Sequence, residues 1–287
     1  MHRMTVAPPL APGRLRFRKM HGLGNDFVVI DARADSDPMT PALARALADR
    51  HRGVGFDQLA VIGPGRDGAD ASVAFWNADG SRAGACGNAT RCVADLLMRE
   101  SGRAGLTLAG PAGALRAERG ANGRVTVDMG RPRLDWRSIP LADAADTAAL
   151  PIDGAPAAVS MGNPHCVFFV ADAEAAPVET AGPATARHPL FREGVNVEFA
   201  EIRDPGTIRA RVWERGAGVT LACGSGACAV AVAAIRRGLA ERRVRVLLDG
   251  GPLDIDWPSD AAGVLMTGPV AEVFEGALDP AFLEAAT

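Results

Sequence analysis

Short apolar runs, bounded by glycine, proline and aspartate, recur along the whole chain. Phe27–Ile30, Leu59–Ile62, Ala71–Trp76 and Arg124–Val127 read as strands in the first half. Cys166–Val170, Val195–Phe199, Ile208–Trp213 and Leu253–Trp257 read the same way in the second. Several alternate with period two: Val195, Val197 and Phe199 share one face, as do Leu253, Ile255 and Trp257. The stretch from Gly224 to Ile235 is different. Its apolar residues surround a helix on every side, which predicts a helix buried all round. The stretch after Cys86 is less uniform but similar. Peripheral helices are predicted over Pro41–Arg50 and Asp172–Ala181, and Arg133–Ala158, rich in Ala, Asp and Pro, reads as a crossover.

These elements occur twice, in the same order, at an offset of about 138 residues. Gly24-Asn25 precedes one apolar run and Gly162-Asn163 another. Gln58 falls opposite Asn196, and Phe75-Trp76-Asn77 opposite Val212-Trp213-Glu214. Ala85-Cys86-Gly87-Asn88 falls opposite Ala222-Cys223-Gly224-Ser225. This is an internal duplication. It predicts an α+β fold of two pseudo-symmetric domains, each a curved, mostly antiparallel sheet around a central buried helix, with a cleft between them. Residues 15–132 form the first repeat, completed by a C-terminal strand over 270–287. Residues 133–269 form the second, and residues 1–14 are expected to be a disordered extension.

Composition narrows the class. Of 287 residues 48% are hydrophobic and 23% charged, the balance of a globular chain and not of a disordered one. Glycine (33) and proline (20) are abundant, as many tight turns require. The net charge of −3 gives no general attraction for nucleic acid or a membrane surface, and no apolar run is long enough for a spanning helix. Five cysteines, Cys86, Cys92, Cys166, Cys223 and Cys228, with no secretory signal argue for reduced thiols and a cytoplasmic location. Their spacings are wrong for zinc.

Cys86 and Cys223 each stand where a loop enters a helix. A helix start offers free N–H groups and partial positive charge, which predicts a lowered thiol pKa and a seat for a carboxylate. Two such ends facing each other would place one thiol on each side of an amino acid's α-carbon. Inversion of that carbon needs a base on one face and an acid on the other. Cys92, Cys166 and Cys228 read instead as buried structural cysteines.

The stretches His21-Gly-Leu-Gly-Asn-Asp-Phe27, Asn77-Ala-Asp-Gly-Ser81, Ala85-Cys-Gly-Asn-Ala-Thr-Arg-Cys92, Met161-Gly-Asn-Pro-His165, Val195-Asn-Val197, Glu214-Arg-Gly-Ala-Gly218 and Ala222-Cys-Gly-Ser-Gly226 together resemble the diaminopimelate epimerase family. The resemblance runs from about Phe17 to Gly276. It implies an isomerase that interconverts LL- and meso-diaminopimelate without pyridoxal phosphate or metal, in the supply of lysine and peptidoglycan precursors. It implies Cys86 and Cys223 as the acid/base pair, and Gly87, Asn88, Gly224 and Ser225 as substrate holders at the helix starts. Asn25, Gln58, Asn77, Asn163, Asn196, Glu214 and Arg215 would line the site, with His165 and Glu214 tuning the thiols. It also implies a homodimer. Two departures stand out: Ala89-Thr90 where the family commonly has Gly-Ala, and Val219 where an acidic residue often precedes the threonine.

Bland readings remain for individual residues: a structural His165, a solvated Arg215, Asn25 and Asn163 as turn residues, a surface Gln58. Two other functions also remain open. One is a proline or hydroxyproline racemase, which would share the cysteines but not need Glu214-Arg215. The other is a non-catalytic or thiol-redox protein, although redox pairs favour one local motif.

Overall fold

The computed structural model describes residues 14–84, 86–111 and 113–286. Of the expected disordered extension only Arg14 is described, 3.8 Å from Asp279; the rest lies outside the described residues. The first half runs β1 (Arg16–Gly22), β2 (Asn25–Asp31), α1 (Pro41–Ala48), β3 (Gln58–Pro64), β4 (Ala71–Asn77), β5 (Arg82–Ala83), α2 (Gly87–Ser101), β6 (Gly105–Gly110), β7 (Gly113–Arg119) and β8 (Val125–Asp128). The second half repeats this as β9 (Ala157–Ser160), β10 (Pro164–Phe169), α3 (Val178–Ala186), β11 (Asn196–Asp204), β12 (Thr207–Glu214), β13 (Gly218–Val219), α4 (Gly224–Arg236), β14 (Arg243–Leu248), β15 (Gly251–Asp256) and β16 (Leu265–Gly268). Then β17 (Ala271–Ala277) and α5 (Pro280–Ala285) follow.

The pairings repeat with the elements. β1–β2 and β9–β10 are antiparallel, while β2–β3 and β10–β11 are parallel. The parallel pairs β4–β6 and β12–β14 matter most for the site. Parallel neighbours need a long crossover, usually helical. Here the crossovers are α2 and α4, so each is laid across the inner face of its own sheet. The remaining pairings are antiparallel, as the alternating sequence predicts. β8 pairs with β16, Val127 opposite Met266, and joins the two halves. β17 returns to pair with β1.

The continuous apolar runs have a simple cause. Phe27 and Val29 of β2 face the cluster around α2, whereas Val28 and Ile30 face outward to a second cluster with Leu43 and Leu47 of α1. A strand covered on both faces loses its polar alternation. In the second half Val167 faces the α4 cluster and Cys166 the outer one. Helix α4 is buried from Gly224 to Ala234, as its sequence predicts. Helix α2 is buried from Gly87 to Met98, yet that span contains Asn88, Arg91 and Asp95.

Two expectations are corrected. The peripheral helix placed over Asp172–Ala181 begins only at Val178 and runs to Ala186. Asp172 spends its carboxylate on the N–H groups of Glu174 and Ala175, which makes a turn, and Pro177 marks the helix start. The C-terminal strand ends at Ala277. Asp279 then caps a short helix, with Pro280 in its first position. No helix among the described residues is long and apolar enough to cross a membrane.

The halves meet closely at Gly250, which is held within its own half by an N–H donated to the Leu221 carbonyl at 2.7 Å and packs against Leu23 of the other. A Cβ there would stand 1.9 Å from the Leu23 carbonyl oxygen. Gly250→Ala is therefore expected to cost about 2 kcal/mol or more, because backbone must yield. Urea unfolding followed by circular dichroism checks this, and an unchanged midpoint would mean that the junction is compliant.

Candidate active site

Each of the two paired cysteines caps its helix. Cys86 has extended backbone and precedes α2; its Sγ accepts from the Ala89 N–H at 3.4 Å. Cys223 precedes α4, and its Sγ accepts from the Gly226 N–H at 3.3 Å and lies 3.5 Å from Ser225 Oγ. The thiol thus takes the place that a serine or aspartate oxygen usually fills at an N-cap. The following glycines are required by space. A Cβ on Gly87 would stand 2.8 Å from Met266 Cε, and one on Gly224 2.9 Å from both Met266 Sδ and Asn88 Oδ1. One methionine therefore touches both helix starts. Asn88 ties them together: its Nδ2 donates to Asn25 Oδ1 at 3.1 Å and, across the junction, to the Ala222 carbonyl at 3.0 Å.

A buried polar chain surrounds Cys223. Ser225 Oγ accepts from Asn163 Nδ2 at 3.2 Å. Asn163 Oδ1 is 3.0 Å from His165 Nε2, and His165 Nδ1 is 2.6 Å from Glu198 Oε1. Both His165 and Glu198 are buried. Glu214 accepts from Thr220 Oγ1 at 2.5 Å. Asn25 is held in turn by Asp57, which accepts from its Nδ2 at 2.8 Å. Glu198, Asp57, Thr220 and Met266 were not among the expected site residues. Glu198 carried a signal: it points inward from a strand whose Val197 and Phe199 pack outward.

Other expected residues stand further out. Gln58 donates to Asn77 Oδ1 at 2.9 Å, and Asn77 donates to Ser81 Oγ; neither hydrogen bond runs to a thiol. Asn196 donates to the Pro164 carbonyl and accepts from the Arg215 backbone N–H at 2.9 Å. The exposed Arg215 guanidinium turns to the Glu193 carbonyl at 2.6 Å, beside a cavity of 710 Å³ lined by Phe191, Trp213 and Gly216. Neither thiol lines that cavity. Among the described residues no three His, Cys, Asp or Glu side chains gather as metal ligands would.

The electrostatics correct one expectation. The thiols are not lowered. Burial pushes Cys86 up to about 12, helped by the Glu214 carboxylate, and the Ala89 N–H only partly offsets it. Burial also raises Cys223 well above its ordinary value, reinforced by Glu214 and Glu198. Burial raises Glu214 itself. The helix start acts in the expected direction, but desolvation and two carboxylates outweigh it. All five cysteines are free thiols, and Cys86 alone is partly exposed.

This duplicated sheet-and-helix architecture, with a capped helix start from each half at the junction, defines a class of two-domain α+β folds that several solved structures share. A hydroxyproline epimerase from Agrobacterium vitis superposes with a TM-score of 0.68 at 16% identity, over 95% of each chain. A PhzF-family phenazine biosynthesis protein from Bacillus anthracis gives 0.67 at 14% identity, over 92% of this chain and 99% of its own. Sequence narrows the class. The profile of the family described as diaminopimelate epimerase matches residues 17–134 and 157–273. The diaminopimelate epimerase of Rhodospirillum centenum is 55% identical over 273 residues, 93% of this chain and 94% of its own. That of Acidiphilium cryptum is 56% identical over 272 residues, 93% and 97%. The chain belongs to the diaminopimelate epimerase family and is an isomerase.

The raised thiols have a consequence for stability. Cys92 and Cys228 are fully buried and pushed up by burial from 9.0 to about 12. Between those values the unfolded chain has lost their protons and the native one has not, so stability falls as pH rises. Each contributes roughly 1 kcal/mol per pH unit in that window. The chain has no tyrosine and a single lysine, so the other groups that titrate there are chiefly the three remaining cysteines, whose thiols burial also raises and which add to the same decline. Urea unfolding under reducing conditions is expected to show this decline from pH 9 upward, less steep in a Cys92→Ala/Cys228→Ala variant. An equal slope in parent and variant would assign the decline elsewhere.

Proposed function

We propose that this enzyme interconverts LL- and meso-diaminopimelate by a two-base mechanism in which Cys86 and Cys223 stand on opposite faces of the substrate's α-carbon. The observation that carries the reading is the pair of cysteine-capped helix starts, one from each repeat, brought together through Asn88, Ala222 and Met266. The high identity to curated diaminopimelate epimerases supports the substrate.

In this reading the α-carboxylate lies between the N–H groups at Gly87-Asn88 and Gly224-Ser225. Those donors stabilise the charge that develops as the α-proton leaves. One cysteine, as thiolate, takes that proton and becomes a thiol. The other, as thiol, delivers its proton to the opposite face and becomes the thiolate. The pair therefore emerges ready for the reverse direction, and no electron is gained or lost. Asn25, Gln58, Asn77, Asn163, Asn196, Glu214 and Arg215 hold the remainder of the substrate. Arg215 can grip a second carboxylate bidentately once it releases the Glu193 carbonyl. His165 and Glu214 set the charge near the thiols. The enzyme works as a cytoplasmic homodimer in lysine and peptidoglycan precursor supply.

A proline or hydroxyproline racemase would share the thiol pair and the fold. α-Proton exchange into deuterated water, assayed with LL-diaminopimelate and with proline, separates the readings. Exchange is expected with the first only. Cys86→Ala and Cys223→Ala are each expected to abolish epimerisation in a folded protein, and the double variant to be little worse than either. Near-native turnover in either single variant would sink the two-base scheme.

Arg215→Lys is expected to lose at least about tenfold in kcat/KM, since an ammonium lacks the planar fork. Equal efficiency on diaminopimelate would give Arg215 another role.

A further inference from the structure

Arg91 is an unusual residue to find in a core. It sits in the second turn of α2, five residues after Cys86, and is 0% exposed. No carboxylate pairs with it among the described residues. Its Nη1 donates only to the Met266 thioether, at 3.3 Å, and its Nε and Nη2 have no hydrogen-bond partner among the described residues. The fold nevertheless makes room for it. A Cβ on Gly22, at the end of β1, would stand 2.8 Å from Nη2. A Cβ on Gly268, at the end of β16, would stand 3.0 Å from Nε and from Cζ. Two glycines, one from each half, thus form a slot for the guanidinium.

A buried cation without a counter-ion is costly, and arginine does not escape by losing its proton. The ionisable groups that face it are the thiols of Cys92, Cys86 and Cys228 and the guanidinium of Arg124. Arg124 is already engaged with Asp254 and the Thr267 carbonyl. Cys92 and Cys228 are sealed in the core, whereas Cys86 is partly exposed and caps the helix. Met266, which accepts from Arg91, is also the residue that packs against Gly87 and Gly224.

We propose that Arg91 is a positioning residue for the epimerase chemistry: a cation locked in a glycine-lined slot, it is the standing counter-charge for a thiolate at Cys86, and through Met266 it sets the two helix starts against each other. The proposal rests on the two-thiol reading above. It makes the two cysteines unequal in the free enzyme. Cys86 faces Arg91 as well as Glu214. Cys223 faces Glu214 and Glu198, with Ser225 and the Gly226 N–H as its hydrogen-bond donors; the cationisable group beside those carboxylates is His165, 2.6 Å from Glu198, and no arginine faces this thiol among the described residues. Cys86 is therefore the thiol that ionises first.

Alkylation by iodoacetamide across a pH series, with Cys86 and Cys223 resolved by peptide mass spectrometry, reads ionisation without relying on turnover. In the parent enzyme the midpoint for Cys86 is expected below that for Cys223. Arg91→Met is expected to raise the Cys86 midpoint by about one pH unit or more, a tenfold loss of thiolate at fixed pH, and to leave Cys223 nearly in place. Its kcat should fall far more than its KM changes. Arg91→Lys keeps the charge and should keep the Cys86 midpoint, even where the melting temperature drops. A folded Arg91→Met with an unmoved Cys86 midpoint overturns the proposal, as does a shift confined to Cys223. Should Arg91→Met fail to fold, the parent decides: Cys223 ionising before Cys86 overturns it as well. Loss of the two-thiol reading would show separately, as retained turnover in Cys86→Ala.

Discussion

Asn88 of one half donates to the Ala222 carbonyl of the other, and the space that side chains at Gly87 and Gly224 would need is already filled by Met266. That close approach of two helix N-termini is the constraint from which the rest of the site follows. Helices rarely meet end to end, because both ends carry partial positive charge and unpaired N–H groups. Here the repulsion is relieved from several sides. Each cysteine Sγ takes one N–H of its own helix.

The sheet topology makes the approach possible. Each central helix is the crossover of a parallel strand pair, so its start lies where a strand leaves the sheet and its body lies across the inner face. Small residues along α4, from Ala227 to Ala234, let the sheet curve tightly around it. The β8–β16 pairing then holds the halves at a fixed register, and β17 carries the chain back to β1. Hydrophobic burial on both faces of β2, β3, β10 and β11 supplies the rigidity that a hydrogen-bonded polar site requires.

Burial has an electrostatic consequence at the same place. Desolvation and the Glu214 carboxylate push both capping thiols above their ordinary range, and Glu198 adds to the shift at Cys223. A thiolate is therefore costly at either helix start. Arg91 is the cation poised to moderate that cost on one side. His165, held between Asn163 and Glu198, keeps a second buried carboxylate engaged without adding a group that touches sulfur.

Much of this was legible in the order of residues. The duplication, the strand runs and the all-round apolar helix after Cys223 depend on local pattern, and local pattern survives folding. The two Ala-Cys-Gly contexts placed a cysteine at each helix start for the same reason. Asp172 misled because a carboxylate that caps a turn and one that begins a helix look alike in sequence. Strands such as Arg243–Leu248 were passed over, although Val244, Val246 and Leu248 alternate. What only the tertiary structure decided is what depends on distant partners. The direction of the thiol pKa shifts was set by burial and by Glu198 and Glu214, which lie in other elements. Met266 and the glycine slot around Arg91 join residues far apart in the chain, and no local spacing marks them. A helix end lowers a thiol pKa by short-range dipoles that sequence can announce; desolvation, which overrides it, is a property of everything packed around the site.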